Sequence, residues 1–490
     1  MNQNDTQSPP PPPPPPPPHS SGHGHQAESK EDKRPWRENI EALTMAVVMA
    51  VLLKYFVVEA YKIPTGSMQP TLMGLQIDAK NGVFDRIIAD KLSYHFRDPE
   101  RFEVAIFKYP LDRSRNYIKR IWGLPGEHLL IRDGDIFRRD DETQPWEIVR
   151  RPKPIQRETL KQLTTKGEWR GEAGGEGWNF IEDGFDATQP GRAIFPQTKS
   201  SIRDNYTDGY PPELIGKVRR RGRGSGTNDV ADLRVAGTVT ASQECTQVTV
   251  QLFEGPRTYE ARFPGPAAPE GSKPSMRIID SSGEIDERVV EASEPWRLRA
   301  GEEVPIAAQN LDDLLELEID GDVLIEVEVP KASEQRARVA VQLEGGGARL
   351  RDLNVFRDIF YTTSHATMSQ WEIPEDSYVM LGDNTQDSAD GREWQLARRE
   401  LTSGPRAGEI IRGNMREGKN PARVPGGPNG PEVFFRDLYG ERNHFLESES
   451  RPLSPERNPF VPRQLITGRA LVVFWPIKPS LGIYRLKWIH

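Results

Sequence analysis

The stretch Leu315-Glu-Leu-Glu-Ile319-Asp-Gly-Asp-Val323-Leu-Ile-Glu-Val-Glu-Val329 alternates apolar and acidic residues about a central Asp320-Gly321-Asp322. Successive side chains of a strand point to opposite faces. Leu315, Leu317, Ile319, Val323, Ile325 and Val327 therefore share one face, and the other is largely acid. Asp-Gly at the centre is turn chemistry, so the pattern predicts a half-buried antiparallel hairpin. Outward from it the same period returns at 235–239, 248–253 and 259–263, and again at 350–356. Strands at this spacing predict a β-sandwich over about residues 225–363. Before it, residues 139–223 are rich in glycine and proline and carry Trp146, Trp169 and Trp178.

Shorter strand-like runs lie beyond these limits, at 87–89, 104–107, 117–122, 129–131 and 136–137, then at 378–381 and 471–474. Asp133-Gly134 between two of them is a second hairpin signal. No amphipathic helix is sustained after residue 61, so the fold class is mainly β. The organisation expected is a tail (1–38), an anchor (39–61), a first core part (62–138), an insertion (139–363) and a second core part (364–490).

The proline run at 9–18 has no apolar face to bury and predicts an extended, disordered tail. His19, His23 and His25 follow it, with no other ligand type arranged around them. Residues 42–58 are apolar apart from Lys54 and Glu-free, and span roughly 25 Å as a helix, slightly short of a hydrocarbon core. With Lys54 near one end and Tyr55 and Tyr61 as aromatic anchors, they predict one transmembrane helix. Lys30, Lys33, Arg34 and Arg37 precede it and keep the tail cytoplasmic.

Composition narrows the function classes. The 490 residues carry a net charge of −8, with 36% hydrophobic and 28% charged. That excludes a multi-span membrane protein and gives no support to nucleic-acid binding, which favours a strongly basic domain. The basic run at 219–223 reads as a solvated loop. Cys245 is the single cysteine, so no internal disulfide forms, and no His stands near it to make a thiol nucleophile. Eight histidines offer no triad partner and no metal-ligand spacing, and neither metal nor cofactor is expected.

Three separated segments carry candidate chemistry. The first is Ile63-Pro-Thr65-Gly66-Ser67-Met68-Gln69-Pro70-Thr71-Leu72, just past the apolar run. The second, Tyr117-Ile-Lys119-Arg120-Ile-Trp-Gly123-Leu-Pro-Gly126-Glu127, puts a lysine in an alternating apolar strand, where desolvating its ammonium is costly. The third is Gly382-Asp383-Asn384-Thr385-Gln386-Asp387-Ser388-Ala389-Asp390-Gly391-Arg392-Glu393-Trp394. Each alone passes for a turn, a surface strand or a polar loop.

Together, in this order, they resemble the nucleophile box, the general-base strand and the Gly-Asp-Asn box of type I signal peptidases. Phe84-Asp85-Arg86-Ile87 and Gly468-Arg469-Ala470, with Phe474-Trp475-Pro476, are similar to further family segments. The resemblance covers roughly residues 40–138, 375–395 and 460–478. It implies a signal-peptidase-like β catalytic core, with Ser67 as nucleophile and Lys119 as general base. It further implies that Ser388 orients the lysine, that Thr65 joins the Ser67 backbone N–H in holding the oxyanion, and that Asp383, Asp390 and Arg392 brace the site. A weak hydroxyl nucleophile needs a base in reach, and a lysine serves when burial lowers its pKa. The substrates implied are exported preproteins ending in an Ala-x-Ala-like pattern, cut at the extracytoplasmic face of a bacterial inner membrane in contact with lipid. Thr385-Gln386-Asp387 stand where the family usually has Arg-Asp-Asn, Gly391 replaces a Ser, and Phe84 replaces a glycine. The insertion has no counterpart in the short members; it is expected to fold by itself and to recognise a surface or a client, with carbohydrate met through Trp146, Trp169 or Trp178. Two rivals stand beside this reading: a soluble self-cleaving repressor peptidase, and a catalytically silent surface-binding protein.

Overall fold

The computed structural model describes residues 35–77, 82–163, 169–172, 177–195, 201–211, 214, 226–363, 369–415, 420–426, 428, 430–478 and 483–490. The proline run, His19, His23, His25, Lys30, Lys33, Arg34 and the basic run at 219–223 lie outside them.

The chain divides into two compact units, Met1–Leu53 and Lys54–His490. The first holds the helix Pro35–Leu52. Its Ile40, Leu43, Met45, Val47, Val48, Met49 and Val51 are all exposed. A π-helical turn, Leu53–Val57, comes next, and then the strand Val58–Lys62. The bounds expected for the anchor, 39–61, differ from those of the α-helix, which spans Pro35–Leu52. Residues 58–61 pair in a sheet with Arg86–Asp90, and Glu41 sits within the helical part. Among the described residues no helix is long and apolar enough to cross a membrane.

The second unit is mainly β. One eight-stranded sheet runs in the order Val58–Lys62, Arg86–Asp90, Ile466–Trp475, Val104–Tyr109, Asp112–Gly123, Ser377–Leu381 and Phe460–Pro462, with Lys487–Trp488 also pairing with Ile466–Trp475. Strands from both ends of the second unit thus interleave. Phe107, Tyr109, Ile121, Met380 and Trp394 form part of one buried cluster in this region, and Met68, Leu72, Ile87, Val104 and Val473 part of another. His128–Arg132 and Asp135–Arg139 form the expected hairpin. Asp133 and Gly134 both take positive φ at its turn, as a tight two-residue connection demands.

Two further sheets, of eight and seven strands, face one another around a single apolar core that includes Phe185, Val235, Val250, Leu317, Val341 and Leu350. The hairpin at 314–328 lies at the end of one, with Leu315 pairing Val327 and Leu317 pairing Ile325. Its acidic face differs from the expected solvated one. Glu316 and Glu318 are buried, because Lys153 reaches Glu316 at 3.3 Å and Arg234 reaches Glu318 at 2.6 Å. Both sheets also draw on strands well before residue 225. Gly184–Ala187 pairs with Ala348–Arg357, and Gly191–Phe195 with Ala337–Glu344. Trp169 is buried in this core, and Trp178 packs against it while staying half-buried.

Candidate active site

Lys119 lies on the strand Asp112–Gly123, between Val104–Tyr109 and Ser377–Leu381. Its register partner is Ala105. Ser67 sits in the turn that follows Val58–Lys62. Leu72 N donates to the Met68 carbonyl at 2.8 Å, and both of these side chains are fully buried, which pins the turn to the sheet. A Cβ at Gly74 would fall 2.2 Å from the Thr65 carbonyl oxygen, so only glycine lets the chain cross itself there.

This packing leaves Lys119 Nζ 2.8 Å from Ser67 Oγ, within hydrogen-bond reach across 52 residues of sequence. The amine also donates to the Ile118 carbonyl at 2.9 Å. Burial pushes the Lys119 pKa down to about 8, against the pull of the Asp390, Asp383 and Asp387 carboxylates, which favour the charged form. A neutral amine beside a hydroxyl is what a general base requires.

The third segment follows the buried strand Ser377–Leu381. A Cβ on Gly382 would meet Ser388 Oγ at 2.1 Å and the Ser67 carbonyl oxygen at 2.5 Å, so this glycine brings the two loops into contact. Asn384 clamps the nucleophile turn: its N–H donates to the Ser67 carbonyl and its Nδ2 to the Gly66 carbonyl, each at 3.1 Å. Asp390 and Arg392 form a bidentate pair at 2.8 Å, and Gly382 N donates to Asp390 Oδ2. Burial would raise the Asp390 carboxyl, but the adjacent guanidinium holds it below its usual value.

Not every expected partner meets the dyad. Ser388 is buried beside Gly382, and its hydroxyl bears on the Asp390 carboxylate; among the described residues no hydrogen bond joins it to the Lys119 amine. Thr65 is exposed at the outer end of the turn. Asp383 stands one step away, taking both its ionic bonds from Arg120. Arg120, Thr71, Asn384 and the Asp85–Arg485 pair were not singled out by sequence reasoning. Arg485 Nη2 lies 2.7 Å from Asp85 and also donates to the Thr71 carbonyl at 3.2 Å, bracing the turn from below. The one signal for Arg120 was a second cation beside Lys119 in the same apolar strand. Among the described residues no group of three or more His, Cys, Asp or Glu is arranged to hold a metal ion.

Residues 36–178 match the family described as signal peptidase, peptidase S26. A curated relative from Synechocystis sp., "Probable signal peptidase I-1", is 32% identical over 161 residues, covering 30% of this chain and 78% of that one. A second from the same organism, "Probable signal peptidase I-2", is 36% identical over 121 residues, covering 23% of this chain and 51% of that one, so the chain spans about half its length. Among solved structures, the carbohydrate binding module CBM66 from Bacillus subtilis is 9% identical, covering 39% of this chain and 96% of that one at a TM-score of 0.24, too low to bear on this chain.

Proposed function

Since this chain belongs to the signal peptidase, peptidase S26 family, we propose that it is a membrane-anchored serine endopeptidase that removes signal peptides from exported preproteins. The observation that carries the reading is the 2.8 Å approach of a buried lysine amine to the Ser67 hydroxyl. Ser67 Oγ attacks the scissile carbonyl carbon while Lys119 Nζ takes its proton. The tetrahedral oxyanion is held by the Ser67 backbone N–H and the Thr65 hydroxyl. The protonated lysine then gives its proton to the leaving amine, and an acyl-enzyme remains on Ser67. Lys119, neutral again, draws a proton from water, which hydrolyses the ester. Ser388 steadies the amine when substrate is bound. Asp383, Asp390 and Arg392 hold the loop from which Ser388 comes.

The exposed apolar side chains of Pro35–Leu52 support contact with a bilayer, which covers a surface water would not tolerate bare. On this reading the catalytic body works on the extracytoplasmic side of a bacterial inner membrane, and the tail remains cytoplasmic. The two-sheet region recognises a surface or a client. The test is cleavage of a signal-sequence preprotein by the wild type and by Ser67→Ala. The wild type cuts after the small residue that ends the signal sequence, and Ser67→Ala does not; equal cleavage by both would overturn the reading.

A further inference from the structure

The insertion was expected to stand apart from the dyad, yet residues 201–211 run from the two-sheet region into the nucleophile turn. At one end, Ile202 N donates to the Ala337 carbonyl at 2.9 Å. Near the other end, Asp208 is held by Arg357 Nε at 2.6 Å, and Gly209 N donates to the Gln162 carbonyl. Between these two anchor points the segment reaches the active site. Gln386 Nε2 donates to the Asp204 carbonyl, and Tyr206 OH donates to Asp387 Oδ2 at 3.5 Å. Tyr210 OH lies 3.4 Å from Tyr206 OH.

Gly66, the residue before the nucleophile, marks where these groups converge. A Cβ placed there would lie 3.4 Å from Tyr210 OH, 3.5 Å from Asp387 Oδ2 and 3.7 Å from Gln69 Cδ. Tyr210 is buried in a cluster with Met73, Leu75 and Val83, which belong to the core part that carries Ser67. The tyrosines are therefore fixed to the catalytic body and not draped over it.

Building on the Ser67–Lys119 reading, we infer that Tyr206, seated by Tyr210, is a positioning residue that acts on the dyad through Asp387, so that the insertion supplies part of the active site. Asp387 is a carboxylate whose charge favours the charged form of Lys119. Tyr206 donates to that carboxylate and holds it in place. The charged groups around the same amine are Asp383, Asp390 and Arg392 from the loop together with Asp387, and Tyr206 of the insertion touches Asp387.

The test is a double-mutant cycle on the full-length chain, read as the midpoint of the acid limb of the cleavage rate. Asp387→Asn removes a negative charge, so the lysine sheds its proton more readily and the limb moves about one pH unit lower. Tyr206→Phe moves it in the same direction by a smaller amount. Tyr206→Phe made in the Asp387→Asn background moves it no further. A limb unmoved by Tyr206→Phe, or shifts that simply add, would overturn the inference while Ser67→Ala stays inactive. Cleavage that survives in Ser67→Ala would overturn the underlying reading, and this inference with it.

Discussion

Arg120 and Asp383, 263 residues apart, form a fully buried ion pair in which Nε and Nη2 donate to the two carboxylate oxygens at 3.0 and 2.9 Å. Thr71 Oγ1 donates to the same carboxylate at 2.5 Å, so one pair ties the nucleophile turn, the lysine strand and the third segment together. Removing one member leaves an uncompensated buried charge. Asp383→Ala should cost about 3–5 kcal/mol in urea unfolding. It should lose cleavage as well, because all three segments loosen at once.

Gly382 serves for space and not for backbone freedom, since it is not among the glycines with positive φ. Gly382→Ala would drive a methyl group into the Ser67 carbonyl and the Ser388 side chain. We expect destabilisation of about 1–3 kcal/mol and a fall in kcat with little change in KM. An unchanged kcat would show that the two loops separate freely.

Keeping Lys119 dry costs stability. Its folded pKa of about 8 lies below the ordinary 10.5 of an unfolded lysine, so the unfolded chain binds the extra proton between those values. Stability therefore rises with pH through that window. Lys119→Met should abolish cleavage yet raise stability at pH 7 by up to about 3 kcal/mol. The gain should shrink as pH approaches 10.5, as chemical denaturation at several pH values will show.

A second charged cluster joins the hairpin at 128–139 to the two-sheet region. Asp135, Asp232, Asp312, Asp313, Asp358 and Arg151 are buried there, with the half-buried Lys331 beside them. Burial, and then the Asp358 charge, hold the Asp312 carboxyl well above the usual range, opposed by Arg151 and Lys331. A raised carboxyl pKa means the folded state keeps a proton the unfolded chain has lost, so stability falls as pH rises from about 4. Asp312→Asn, which does not titrate, should match the wild type near pH 4 and exceed it at pH 8, by on the order of 1–3 kcal/mol. Thermal unfolding at the two pH values checks this.

The strands most legible in the sequence were those long enough to alternate. The hairpin about Asp320-Gly321-Asp322 and the one about Asp133-Gly134 form where period and turn chemistry place them. Strands of two to five residues between 161 and 195 carry too few alternations to register, although they complete both large sheets. Glu316 and Glu318 read as solvent-facing because the cations that cover them, Lys153 and Arg234, lie more than 80 residues away in sequence. Ser67 and Lys119 drew notice through resemblance alone, since a serine in a turn and a lysine in a strand carry no local signature. Tyr206 and Tyr210 had none either, because their role depends on where a long excursion returns.

The central claim is that a buried, neutral Lys119 activates Ser67, and the pH dependence of preprotein cleavage by the wild type tests it most directly. The base must be unprotonated to work, and its pKa lies at about 8. The rate should therefore rise between pH 6 and about 9 with a midpoint at about 8. A rate flat across that range, or a midpoint near the ordinary histidine value of about 6.5, would contradict it.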